Sequence, residues 1–188
     1  VILRRKRERV APDQDAVVDR VLCLSVTVML GTIVAALEEG EMDGEHAERY
    51  VTESHRWLRR EQLAEALSVR ERSLIIKPLA DWTERERSDA GWRSEPVGVL
   101  LWALSSFGDI PAYDTRFETL PALVPLLAPT AEFRATASLR PPDVLAQARE
   151  AAELAHGRAP GPIPVERLHA LNWLSGNGSD WDDVPTGA

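Results

Sequence analysis

The sequence predicts an all-α fold, a single-domain irregular helical bundle around a central buried helix (about 94–107) and a C-terminal helix (about 164–174). Three observations predict it. Ser68-x-x-Glu71 and Thr83-x-x-Glu86 have capping-box spacing, in which hydroxyl and carboxylate satisfy each other's backbone N–H groups at a helix start. The run Val97–Leu104 is apolar on every face, the pattern of a helix buried all round. No pair of alternating segments flanks a hairpin turn, and no repeat of solenoid length occurs.

Residues 1–12 read as a basic arm and 13–188 as one helical domain, an ordinary size for a single core. Val21–Leu37 holds 17 residues without a charge. A signal or membrane segment is the competing reading, since basic residues precede the run. Asp13, Asp15 and Asp19 lie between those arginines and the run, however, and Ser25, Thr27, Gly31 and Thr32 dilute it, so the segment is expected to be a buried helix. Asp43 can cap a helix from Gly44 to about Trp57, with Ala47, Tyr50 and Val51 on one face. A helical turn follows around Glu61–Leu67, then the Ser68-capped helix that Pro78 closes.

Thr83 opens the next helix at Glu84. Pro96, inside a continuous helix, would remove the bond to the carbonyl of Trp92 at a cost of about 3 kcal/mol. A break near Gly91, with Pro96 in the first turn of a second helix, costs less. Prolines at 111, 121, 125, 129, 141 and 142 cut the following segment into short pieces. Pro142 starts a helix to about His156, with Val144, Leu145, Ala148, Ala152 and Leu154 on its apolar side. Pro164 opens the last helix.

The net charge is −8. Residues 1–9 hold five basic residues and one acidic one, which leaves 17 basic against 29 acidic residues in the body, a net −12. That balance is a poor footprint for nucleic acid. The single Cys23 excludes an internal disulfide, suits a reducing compartment, and reads as a small buried hydrophobe rather than a nucleophile.

Phosphate-cradling glycine loops, nucleophile elbows and zinc-binding His pairs are absent. Asn177, Asp180, Asp182 and Asp183 supply oxygens without the spacing of a calcium loop, so no metal is expected. Trp181 reads as an anchor docked on the core, with the aspartates wet or capping a turn. A carboxylate at Glu95, on a helical face with Trp92, Val99 and Trp102, needs a partner, because an isolated buried charge is very costly. Arg167 is that partner, tying the central helix to the last one, with Asn172 adding hydrogen bonds. Of His46, His55, His156 and His169, only His169 is carried forward, as a proton-transfer candidate near Glu95.

Trp92-Arg93-x-Glu95 running into Leu100–Leu104, Ala137-Ser-Leu-Arg140-Pro-Pro, and Glu166-Arg167-x-x-Ala170-Leu-Asn-Trp-Leu174 followed by Trp181-Asp182-Asp183 together resemble one family. It is catalogued as domain of unknown function 4272, and the likeness spans about 17–184. The resemblance implies a mostly bacterial, helical group without an assigned activity. It supports the choice of Trp92, Arg93, Glu95, Trp102, Arg167, Asn172, Trp173, Trp181 and Asp182 as a pocket or structural network. Pro96 departs from the helix former expected after the Glu, which argues against one unbroken helix there.

The expected function is non-catalytic. The chain reads as a cytoplasmic helical domain acting on a protein partner or as a homo-oligomer, without a cofactor and with neither nucleic acid nor membrane as partner. The alternative is a small enzyme or ligand-binding module with its pocket between the central and C-terminal helices around Glu95 and Arg167. An arm steering the protein to nucleic acid or anionic lipid is a third, weaker option.

Overall fold

The computed structural model describes residues 10–117, 120–178 and 180–186. Most of the basic arm, residues 1–9, lies outside them. Among the described residues every regular element is helical.

Helix α1 (Gln14–Glu38) begins where Asp13 accepts the N–H of Ala16 at 2.9 Å. Both of its faces are buried from Val17 to Val26, so it is the inner post of the bundle. By length and apolarity it could cross a bilayer, with a mean hydropathy of 2.1, but here other helices cover it. Gly31 lets α1 approach its neighbour, since a Cβ there would sit 2.8 Å from the Cβ of Ala90. Helix α2 (Gly44–Arg60), capped by Asp43, is strongly amphipathic and turns Ala47, Ser54, Trp57 and Leu58 inward.

Both expected capping boxes are formed, by Ser68 and Glu71 at α3 (Val69–Ile75) and by Thr83 and Glu86 at α4 (Glu84–Trp92). The break forced by Pro96 falls at Arg93, where α4 ends and α5 (Ser94–Ala103) begins. Helix α5 is buried from Glu95 through Ala103 and packs on α1 at one side and on α8 (Pro162–Leu174) at the other. Burying each of its leucines contributes about 1.5–3 kcal/mol. Helix α7 (Pro142–Arg158) backs α8, and the short α6 (Ala131–Thr136) completes the order.

The central helix is shorter than expected. It stops at Ala103 rather than near 107, with Leu104 as its cap and Ser105 at φ 62. Its last carbonyls have partners far along the chain. Arg140 donates from its backbone to Ala103 and from Nε to Trp102, and the N–H of Ser138 donates to Leu104. With those acceptors filled, another helical turn has nothing to add. Leu154 is a second correction: at 61 % exposed it faces solvent, and the inner side of α7 is made by Leu145 and Ala152.

Candidate functional site

Glu95 lies in the first turn of α5 and Arg167 in the second turn of α8, and both side chains are fully buried. Arg167 Nε donates to Glu95 Oε2 at 2.8 Å, while Glu95 Oε1 accepts the N–H of Phe117 at 3.1 Å. The rest of the guanidinium is spent on the loop after α5. Nη1 donates to the carbonyls of Pro111 and Ala112, at 2.6 and 3.2 Å, and Nη2 to that of Thr115 at 2.5 Å. The rings of Phe117 and Tyr113 lie 4.5 and 5.3 Å from its central carbon. Every nitrogen and oxygen of the pair thus has a partner within the chain. Together the two side chains tie the 111–117 loop to α5 and α8.

That loop delivers Phe117 onto the one residue of α5 that can receive it. A Cβ on Gly98 would fall 2.3 Å from the Phe117 ring. Phe117 also meets Phe107, with ring centroids 5.8 Å apart.

Several expected neighbours of Glu95 sit elsewhere. Trp92 ends α4 instead of sharing a face with Glu95, and it stacks under Arg116 at 4.4 Å. Trp102 shares the α5 face of Glu95, two turns further on, but stacks with Arg140 at 4.8 Å and donates to the carbonyl of Gly108. Asn172 donates to Pro185 at 2.8 Å and has no part in the ion pair. His169 follows Arg167 by two positions, about 200° round the helix, and so faces away from Glu95.

His169 belongs to a second cluster, around Trp181. The indole is 4 % exposed. It packs against the His169 ring at 4.5 Å, the Trp173 ring at 5.4 Å and the Arg20 guanidinium at 5.3 Å. Trp181 is thus the anchor expected of it. Asp182 Oδ1 accepts from Ser68 Oγ at 2.9 Å and Oδ2 from the N–H of Arg70 at 3.0 Å, so the tail caps α3. Arg93 bridges to Glu166 at 3.1 Å. Burial, aided by the Arg93 charge, lowers the His169 pKa to about 4 and keeps the ring neutral. Burial raises that of Glu166, against the opposing pull of Arg93. Cys23 is likewise inert: burial pushes its thiol up to about 12. Among the described residues no group of three or more His, Cys, Asp or Glu side chains could hold a metal ion.

The feature that sequence reasoning missed is an apolar groove of about 410 Å³ on the far side of Phe117. The outer half of α1 supplies Val28, Met29 and Ile33, α5 supplies Val97, and the segment after the pinned loop supplies Leu120, Val124 and Leu126. Met42 and Tyr50 close its rim, and Tyr50 is 41 % exposed. Ser25 Oγ, buried at its wall, has no hydrogen-bond partner. Four separate stretches meet here, and the only local hint was Tyr50 on an otherwise polar helix surface.

The family model described as Domain of unknown function (DUF4272) matches residues 1–184. No curated protein and no solved structure matches the chain.

Proposed function

The chain belongs to the DUF4272 family, a kinship that brings no reaction with it, and from that premise we propose that it works by binding another polypeptide in its apolar groove. The observation that carries this is the contrast between the two candidate places. The acid–guanidinium pair is fully buried and engaged with the chain itself, whereas the groove is open, apolar and rimmed by side chains suited to contact. Methionine fills irregular gaps through its flexible, polarizable thioether, and tyrosine and methionine are enriched in interface cores. Met29, Met42 and Tyr50 supply both kinds of side chain. An amphipathic helix presenting apolar residues three and four positions apart fits such a groove, and the unpartnered Ser25 hydroxyl can take one polar group from it. The partner is another protein or a second copy of this chain.

The test charges the rim without touching the core. Thr32 and Tyr50 are exposed groove residues, so Thr32→Glu with Tyr50→Glu is expected to keep the melting temperature. The same change is expected to abolish either self-association in sedimentation velocity or cross-linking of the native chain to its partner. Retention of every association by the variant refutes the groove, and so does a native chain that stays monomeric and cross-links to nothing.

A further inference from the structure

The groove is apolar within and acidic at one edge. Residues 38–48 hold six carboxylates and neither lysine nor arginine. Arg87 holds Glu38 and His46 pairs with Asp43. Glu39, Glu41, Glu45 and Glu48 are exposed and form no ion pair among the described residues. Glu41 adjoins Met42 on the rim. Glu39 follows Thr32 by seven positions, close to two full turns, so it continues the groove side of α1. Of the arginines close to the lining, Arg116, beside Ser94, is stacked on Trp92, and Arg49 is about 100° round α2 from Tyr50.

An occupant that matches this edge has an apolar stretch followed at once by positive charge. The chain itself carries such a segment. Val1-Ile2-Leu3 runs directly into Arg4-Arg5-Lys6-Arg7, in an arm with five cations against one acid on a body of net −12. Reach decides whose groove it fills. Val10 and Ala11 lie against Gly176, just past the end of α8. From Gln14 to Met29 α1 climbs about 22 Å. Its first turns are crossed by the 134–139 segment, where Arg134 holds Asp19 and the N–H of Leu139 donates to Gln14. Nine fully extended residues span about 30 Å at most, and the way round that segment leaves too few of them to lie in the chain's own groove.

Resting on the reading of the groove as a polypeptide site, we propose that its occupant is the 1–9 arm of a second copy of this chain. Val1, Ile2 and Leu3 lie on the apolar lining of Met29, Ile33 and Val97, and Arg4 and Arg5 face Glu39 and Glu41. Two copies that exchange arms in this way close a two-fold pair, each filling the other's groove. The charges fix which way the arm runs, and the apolar residues supply the area it buries.

A charge swap in the full chain, read by sedimentation velocity, tests the exchange. The native chain is expected to sediment as a dimer at micromolar concentration. Arg4→Glu with Arg5→Glu sets an acidic arm against an acidic rim, and Glu39→Arg with Glu41→Arg sets a basic rim against a basic arm. Each variant alone is expected to weaken the dimer about tenfold or more, since like charges then meet. Glu39 and Glu41 are exposed, so the melting temperature is expected to hold. Mixed in equal amounts, the two variants are expected to pair again. The arm of either matches the rim of the other, whereas within one chain neither matches, so recovery on mixing reports exchange between copies. A native chain that stays monomeric overturns the proposal. So do charge variants that dimerise like the native chain, or a mixture that does not pair. If Thr32→Glu with Tyr50→Glu breaks the dimer while Arg4→Glu with Arg5→Glu leaves it intact, the arm is wrong and the groove stands. If the arm variant breaks it and the groove variant does not, the groove is refuted, and the arm's place in it falls as well.

Discussion

Replacing Arg167 by methionine removes the hub that joins α5, α8 and the 111–117 loop. Glu95 would stay buried with the Phe117 N–H as its one short hydrogen bond and the exposed Arg116 3.8 Å away. Deleting one member of a buried, hydrogen-bonded pair costs about 3–5 kcal/mol, because the survivor keeps its desolvation penalty without its partner. The carbonyls of Pro111, Ala112 and Thr115 also lose their donor, but Ala112 and Thr115 are exposed and water can replace it, so they add little. At this chain length each kcal/mol lowers the melting temperature by about 2–4 °C, so the expected drop is roughly 6–20 °C. Urea unfolding followed by tryptophan fluorescence and circular dichroism measures it. Glu95→Leu combined with Arg167→Met is expected to recover part of the loss, since no lone charge is then buried. A loss below about 1 kcal/mol for Arg167→Met, or a double variant no better than the single one, would refute the idea that the pair acts as one structural unit.

Two other outcomes follow from the same geometry. Gly98→Ala places a methyl group where the Phe117 ring lies, and overpacking of this kind costs about 1–3 kcal/mol. Because Phe117 also walls the groove, its displacement is expected to weaken partner association beyond the stability change, as read by sedimentation at a temperature where the variant is fully folded. For His169 the folded ring titrates at about 4, against about 6.5 for a free histidine. Between those values the unfolded chain binds the extra proton, so stability falls as pH drops from 6.5 toward 4, by at most about 3 kcal/mol. Glu166, with its pKa raised, works in the opposite sense, since the folded carboxyl takes up its proton before the unfolded one does. His169→Gln is expected to flatten the fall in denaturation midpoint over that pH range, and an unchanged slope would contradict it.

The helix starts were legible because capping is local. Asp43, Ser68 and Thr83 each act within three positions of themselves, whereas α1 starts at Gln14, well ahead of the uncharged run from Val21, with Asp13 as its cap. The Glu95–Arg167 contact was legible for a different reason, since a carboxylate in an apolar helix needs a cation and the last helix offers one. What Arg167 does with its other donors was not legible, because those acceptors are loop carbonyls whose orientation depends on the folded turn. The end of α5 escaped for the same reason, as Arg140 reaches it from a distant segment. The placing of His169 beside Glu95 was avoidable. It is two positions from Arg167, and helical phase alone sends them to opposite sides. Beyond Tyr50 the groove had no local signature, since its other walls read as ordinary core until all are assembled.

Helix α1 carries a cost that falls in time rather than in space. Its covering elements run on to α5, which ends at Ala103, 65 residues beyond Glu38. At synthesis rates of about 5–20 residues per second, those 65 residues take roughly 3–13 s to make. For that interval a water-shunning rod is born without its sheath. The nascent chain is therefore an aggregation-prone form of this molecule, and slowing translation between 39 and 103 is expected to lower soluble yield.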